Sequence, residues 1–586
     1  MASSEPILRF DVDPVDVARA IAECGLFASV ADDALAELRS AFDGVRLTTG
    51  QTLMEEGEPA AELYIVRHGR LRATVTGPGG TEVFVGEIGK NEVVGEMAVI
   101  TDQDRAATVR AMRDTDLYRL PAEAFGRLVQ HHPGMLRPFA SVVVDRLRTA
   151  MTQPSRPSLP ATIVLLPVDD DDLATFAHEL ATHLRDYETV VLGADDVVGV
   201  ANPAAWLLEI ENRVQISLLV ADREPTPWTR LCLRHADRIN IVANERASVA
   251  PSAIELDPAC AERLAEVPTH LVMRSSGRPP TSAWLRSRTI ESSVNVSDHD
   301  PTSLARLARA MTGTSNVLVL GGGGARGFAH FGVARALAER GVPIDGIIGT
   351  SAGAVVGGLL ARVGDPLDAQ RQMLGWFEAA RWRRDLTPPS VALLSGRTMT
   401  IGLQELGGGM RIEELPIGFA AVSCDLVSAR PFVHDRGPLW QALRASGSVP
   451  GLFPPLVVDG MLLVDGGLVA NMPSEIARQR HPNARLIAVE VGDPTGLDLG
   501  GLDGSGIMNG WDRLRRRRGE VGGASLSKLL MRLTELGRHD STDHADIVIT
   551  PDVRGYGLTE TKRARDIVQR GYEAGLVALD DIDALV

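Results

Sequence analysis

From about Thr48 to Leu120 the chain runs in short apolar stretches set apart by glycines and polar turns: LYIV at 63–66, LRATV at 71–75 and TEVFVGEI at 81–88. That spacing predicts the strands of a small antiparallel barrel or sandwich. Residues 12–44 read as short helices, and beyond Leu120 apolar residues recur at helical spacing to about Met151. TQPSRPSLP, 152–160, is rich in proline and serine and reads as a linker. The texture then changes. ATIVLLPV, ISLLVAD (216–222) and RINIVAN (238–244) are continuous apolar runs alternating with helical stretches such as PWTRLCLRHAD, the rhythm of a βαβ sheet. TSLARLARAM, 302–311, leads into a third region of the same rhythm. Its parts are VLVL, a glycine loop, a helix from about Ala329 to Arg340, DGIIG, a helix from Ala352 to Val363, and later strands at FAAVS and LIAVEV. The expected organisation is multidomain: a β-barrel domain with flanking helices at 1–151, a linker at 152–160, a Rossmann-like α/β domain at 161–313, and a second α/β domain with a helical extension at 314–586.

Composition narrows this picture. At 586 residues the chain exceeds one hydrophobic core, and its 44% hydrophobic and 23% charged residues are those of a globular protein. A formal net charge of −16 argues against nucleic acid as a partner. Cys24, Cys232, Cys260 and Cys424 stand singly, which suits small buried side chains in a reducing compartment. MASSEPILRFDVDP has neither the charged nor the apolar segment of a signal peptide, and no window of about 18 apolar residues appears. A cytoplasmic protein is expected, without a transmembrane helix.

The chemistry concentrates in the third region. In VLVLGGGGARGFAHFG, Gly322, Gly324 and Gly327 fit GxGxxG between a strand-like and a helix-like run, the dinucleotide fingerprint. What those glycines do physically is let backbone N–H groups converge on negative charge, which equally suits an oxyanion hole. GTSAG, Gly349 to Gly353, sits between DGII and a helix, the setting of a nucleophile elbow with Ser351 as nucleophile. A serine needs a base. His481, His539 and His544 lie in polar or helical text and read as surface histidines, and His330 falls on the helix after the loop. Asp465 follows the strand-like MLLV and precedes Gly466 and Gly467, so it can serve as the base directly, although DGG alone also reads as a tight turn. Arg326 can pair a phosphate, steady the loop or a head group, or simply pack. Four readings stay open at this point: a Ser–Asp esterase, a histidine-triad α/β-hydrolase, a dinucleotide-dependent oxidoreductase, and a binding protein whose C-terminal domain is a docking surface.

GGGGARG (321–327), GTSAG (349–353) and DGG (465–467), with ALRASGSVPGLFPPLVVDG (442–460) between them, resemble the signature blocks of the patatin-like phospholipases, in the same order and without substitution. The resemblance covers roughly 315–500. It implies a Ser351–Asp465 dyad, elbow glycines Gly349 and Gly353, and an oxyanion hole from the Gly322, Gly323 and Gly324 backbone with Arg326 beside it. It further implies hydrolysis of fatty-acyl esters of lipids, with no metal and no cofactor.

In the barrel, GEMAVITDQDRAATV (95–109) joins an acid, a turn and an arginine, which together can hold a ribose and a phosphate. With GQTLMEEGEPAAELYIVRHGRL (50–71) it resembles a cyclic nucleotide-binding domain. That implies a nucleotide site at Gly95, Glu96, Arg105 and Ala106, with Glu96 on the ribose, Arg105 on the phosphate and a cyclic nucleotide as regulatory ligand. Asp104 departs from the usual uncharged residue and is expected either to pair with Arg105 or to repel the phosphate. The order of the three domains resembles the neuropathy target esterase group, bacterial branch. Lipid esters are then the expected partners. RLRRRR (513–518) and the amphipathic SLSKLLMRLTEL (525–536) are candidates for peripheral contact with an inner membrane surface, and WFEAARWRRDLTPP (376–389) is a candidate wall or lid of an acyl entrance. Oligomeric state is not legible.

Overall fold

The computed structural model describes residues 7–24, 39–77, 82–101, 103–132, 161–169, 172–379, 385–388, 390–492 and 542–583. The linker at 152–160, His539 and both membrane candidates at 513–518 and 525–536 lie outside them. The chain divides into two compact units: Met1–Ser276 with Ala283–Ser293 and Asp298–Thr312, and Gly277–Ser282 with Val294–Ser297 and Gly313–Val586.

The first unit holds two architectures. The strands Glu62–His68, Leu71–Thr76 and Glu82–Ile88 form where the apolar alternation predicts them. They belong to two antiparallel sheets of five and four strands, between which Val45, Leu47, Tyr64, Val66, Leu71 and Leu117 are buried. The helices Pro14–Glu23 and Ala122–His131 cover a second apolar cluster with Val17, Ile21, Phe125 and Leu128. Asp13 caps the first of these helices and Pro14 opens it, both favoured at a helix start. From Thr162 a six-stranded sheet follows. Its strands Thr162–Pro167, Ile216–Val220 and Arg238–Asn244 lie parallel, which explains apolar runs without alternation: both faces are covered.

The second unit is an eight-stranded mixed sheet. Asn316–Leu320 lies between Gly346–Thr350 and Arg485–Val489, all parallel, and Gly418–Asp425 extends the parallel set on the far side of Gly346–Thr350. Met461–Asp465 then adds antiparallel to Gly418–Asp425, opposing Asp465 to Ser423. One face packs Leu318, Leu320, Ile347 and Phe419 under helices, the other Val317, Val319, Ile348 and Val422. The carboxyl ends of Asn316–Leu320 and Gly346–Thr350 therefore carry the glycine loop and the GTSAG turn side by side, where open α/β sheets place their sites.

Helix Ala564–Asp583 crosses helix Ala329–Glu339 at very short range. A Cβ at Gly332 would meet the Val568 carbonyl oxygen at 2.0 Å, and one at Gly571 would meet the Ala329 carbonyl oxygen at 2.0 Å. Only glycine permits that approach.

Candidate active site

Ser351 ends the strand Gly346–Thr350 and caps helix Ala352–Val363 with φ 54° and ψ −120°. A positive φ in a residue with a side chain is strained, and it lifts the hydroxyl out of both elements. The neighbouring glycines make the sharp turn sterically possible. A Cβ at Gly349 would lie 2.6 Å from the Ala354 nitrogen, and one at Gly353 only 2.2 Å from the Leu320 carbonyl oxygen. Ser446 holds the turn from below: its Oγ accepts the Ser351 N–H at 2.9 Å and donates to the Val422 carbonyl at 2.6 Å. Thr350 Oγ1 donates to the Ala470 carbonyl at 2.8 Å.

The Ser351 hydroxyl donates to Asp465 Oδ2 at 2.6 Å. The other carboxylate oxygen accepts the Gly467 N–H at 2.8 Å, so the DGG turn orients the carboxylate. Asp465 is fully buried, and burial pushes its pKa up to about 6, with the bonds from Ser351 and Gly467 pulling the other way. The group is thus mostly ionised at neutral pH yet close enough to it to exchange a proton, the range wanted of a general base. Gly466 packs against the Val422 carbonyl, where a Cβ would meet the oxygen at 2.3 Å.

The glycine loop closes over this pair. A Cβ on Gly322 would lie 3.1 Å from the Ser351 Cβ and 2.5 Å from Asn471 Oδ1, so the loop backbone lies close against Ser351 with no room for a side chain. One sequence expectation is corrected here. The Gly322 N–H donates to the Asn471 carbonyl at 3.0 Å and is not available to an oxyanion. Gly324 adopts φ +55° and starts the short 3₁₀ turn Gly324–Phe328. The first N–H groups of such a turn have no acceptor within it, and none of the described hydrogen bonds engages those of Gly323 and Gly324. Arg326 is buried, and its Nε donates to the Tyr556 carbonyl at 2.8 Å while the adjacent Ala325 N–H donates to the Leu558 carbonyl at 2.8 Å. Of the roles open to Arg326 in the sequence, steadying the loop is the one with contacts to support it.

His330 is fully buried on the helix after the loop. Its Nε2 lies 2.9 Å from the Gly321 carbonyl, and burial lowers its pKa to about 4, so it stays neutral and props the loop. Neither His481 nor His544 bonds to Ser351 or Asp465. Beside Ser351 opens an apolar cavity of about 350 Å³, walled by Phe328, Val356, Met373, Trp376, Phe377, Met399, Leu403, Phe453 and Leu558. Trp376 and Phe377 come from the stretch read as a candidate acyl entrance, of which residues 380–384 and 389 lie outside the described residues. Leu558, Thr559 and Thr561, some two hundred residues from the nucleophile in sequence, carry no motif and were not foreseen, nor were Ser446 and Asn471.

In the barrel, Glu96 is buried at the start of helix Glu96–Thr101 and Ala106 is exposed. Arg105 is buried and donates to two backbone carbonyls, Gly95 at 3.0 Å and Glu62 at 2.6 Å. Gly95 has φ +84°, and a Cβ there would meet Arg105 Nη1 at 2.5 Å. Asp104 is exposed and makes no ion pair with Arg105, so the first of its two expected effects does not arise.

The family model for patatin-like phospholipase matches residues 318–478, and that for the cyclic nucleotide-binding domain matches 45–132. Patatin-like phospholipase domain-containing protein 7 of Mus musculus is 29% identical over 92% of this chain and 45% of its own length. Neuropathy target esterase sws of Drosophila melanogaster is 31% identical over 78% of this chain and 36% of its own. Lysophospholipase nte1 of Aspergillus fumigatus is 27% identical over 92% and 42% respectively. The chain therefore spans less than half the length of these relatives. It carries a cyclic nucleotide-binding domain followed by a patatin-like phospholipase domain, and it is homologous to the neuropathy target esterase and patatin-like phospholipase domain-containing 7 proteins.

Proposed function

We propose that this chain hydrolyses long-chain fatty-acyl esters of lipids, lysophospholipids foremost, through a Ser351–Asp465 dyad. The observation that carries the reading is the 2.6 Å bond between the Ser351 hydroxyl and a fully buried aspartate, at the mouth of an apolar cavity. Ser351 Oγ attacks the ester carbonyl carbon as its proton passes to Asp465 Oδ2. The carbonyl π electrons move onto oxygen, and the N–H groups of Gly323 and Gly324 stabilise that charge. Collapse expels the alcohol portion, which takes the proton back from Asp465 and leaves an acyl-serine. Asp465 then deprotonates a water that attacks the acyl carbon, and the fatty acid leaves as Ser351 regains its proton. The apolar cavity accommodates the acyl chain: burying each methylene contributes about 0.8 kcal/mol, so a long chain is favoured over a short one. The lysophospholipid preference is supported by the names of the relatives, one of which is a lysophospholipase.

The test is turnover on a panel of lysophospholipids, phospholipids, triglycerides and short-chain esters, with wild type beside Ser351→Ala and Asp465→Asn. Equal activity in wild type and Ser351→Ala would overturn the nucleophile. Activity lost instead on replacing His481, His539 or His544, with folding retained, would favour a histidine triad.

Regulation by a cyclic nucleotide at the barrel has weaker support. The domain is present, but a nucleotide phosphate would have to displace Arg105 from the Gly95 and Glu62 carbonyls.

A further inference from the structure

His68 closes the barrel strand Glu62–His68, while Glu211 lies in helix Pro203–Arg213 and His235 ends helix Pro227–His235 of the α/β sheet that follows. Within the first unit the fold brings these three together, and all are buried. His68 Nε2 is 2.9 Å from Glu211 Oε2, and His235 Nδ1 is 3.1 Å from the same oxygen. One ligand-capable atom from each residue lies within 4.8 Å of the other two.

The directions matter more than the distances. His235 Nδ1 forms a hydrogen bond to the carboxylate. His68 Nε2 does not: at 2.9 Å from Oε2 it has no hydrogen-bond partner, because the oxygen lies off its N–H axis. A buried imidazole nitrogen lying beside a carboxylate oxygen, without pointing at it, is how two ligands of a common cation are arranged. The far side of the carboxylate is already fixed, since Thr162 Oγ1 donates to Oε1 at 2.6 Å. Anchoring of that kind orients a ligating carboxylate and leaves its other oxygen for the metal. Arg113 stands 3.7 Å from Oε1, but its Nε is 2.8 Å from Asp237 Oδ1, so its charge is answered by a second carboxylate. Arg70 also faces Asp237 Oδ1 at 3.5 Å and pairs with Glu87 at 3.1 Å, so with neutral imidazoles Glu211, Asp237, Glu87, Arg113 and Arg70 sum to one negative charge, which suits a divalent cation. His68, Glu211, Arg113 and Asp237 also line a cavity of about 920 Å³ that charged side chains largely surround, which gives an ion access and can supply a water as fourth ligand.

We propose that His68, Glu211 and His235 form a binding site for a divalent transition-metal ion. Two imidazoles and one carboxylate with an open fourth position match zinc by ligand type and number. Because His68 comes from the barrel and the other two from the α/β sheet, the ion would join these two parts of the first unit. This inference does not rest on the esterase reading.

The experiment uses the full chain without an affinity tag, stripped with a chelator and titrated with Zn²⁺ by calorimetry and with Co²⁺ by visible absorption. Wild type should take up one equivalent per chain, show the ligand-field absorption of tetrahedral Co²⁺, and gain thermal stability with Zn²⁺. His68→Ala, His235→Ala and Glu211→Gln should each weaken binding by more than about tenfold, with circular dichroism confirming that they fold. If a variant does not fold, the wild-type Co²⁺ spectrum and stoichiometry decide. Absence of stoichiometric uptake by wild type, a Co²⁺ spectrum that is not tetrahedral, or folded variants that bind as wild type does would overturn the proposal.

Discussion

Two arginines sit beside glycine-rich backbone in this protein, and both donate to carbonyl oxygens of the chain itself. Arg326 holds Tyr556, and Arg105 holds Gly95 and Glu62. The difference is in what remains around each. At the glycine loop no hydrogen bond among the described residues engages the N–H groups of Gly323 and Gly324, next to a Ser351 hydroxyl bonded to Asp465. At the barrel cassette the arginine is itself the expected phosphate partner, and it is occupied. A site built from backbone donors is fixed by the fold and needs no side chain to be held out toward the ligand. One that depends on a long cationic side chain can be closed by the protein's own carbonyls.

The largest test of this contrast is removal of the dyad. Ser351→Ala should lower kcat by roughly 10⁴ or more, and Asp465→Asn by a similar order, with lysophospholipid turnover as the readout. Full retention in either variant would break the contrast at its strong end. Next, Gly323→Ala places a Cβ 2.7 Å from Val491 Cγ2 and should push the loop away from the oxyanion position. A fall in kcat of about 10²–10³ with little change in KM is expected.

The pH profile sharpens the role of Asp465. Its ionised form is the base, so kcat/KM should rise with pH through about 6 and then level. Stability should run the other way. The folded-state pKa lies above the ordinary value of 3.8, so folded protein holds a proton that the unfolded chain has lost between about pH 4 and pH 6, and stability falls as pH rises across that window. Asp465→Asn should remove the fall and leave the inactive variant more stable than wild type at pH 7, by on the order of 1–3 kcal/mol in denaturant unfolding.

A smaller effect is expected where helices Ala329–Glu339 and Ala564–Asp583 cross. Gly571→Ala should cost about 1–3 kcal/mol of stability, because the added carbon meets the Ala329 carbonyl. The smallest belongs to the barrel. Cyclic AMP or cyclic GMP at about 1 mM should stabilise the chain by less than about 0.4 kcal/mol, the shift for a ligand at its own dissociation constant, with thermal melting as the measurement. A larger, saturable shift lost in Arg105→Ala would show that the arginine does exchange its carbonyls for phosphate.

The strands of the barrel and the nucleophile turn were legible because their signals are local. Alternation marks a half-buried strand, and GTSAG between an apolar run and a helix marks an elbow whose glycines are required within four residues. Asp465, the proposed base, stood out only through DGG after a strand, in company with the other blocks. What could not be read are contacts made across the fold. Ser446 reaches the Ser351 backbone from 95 residues away, and although it lies in the 442–460 stretch, nothing local marks it as the residue that holds the turn. The loss of the Gly322 donor depends on Asn471, whose carbonyl arrives only when the strands pair. The expectation of no metal came with the family resemblance and concerned the hydrolase; His68, Glu211 and His235, the proposed metal site in the first unit, are too far apart in sequence to form a local ligand motif.

The bond from Arg326 to the Tyr556 carbonyl spans 230 positions of sequence. Ribosomes add roughly 5–20 residues per second, so the glycine loop is made roughly ten to fifty seconds before the segment that shapes it. Ser351 and Asp465 are also both translated before that segment. Once Asp465 has been added, the nascent chain holds both members of the proposed dyad but not yet the Tyr556 carbonyl that Arg326 bonds, so under the proposed function the anion pocket is completed last.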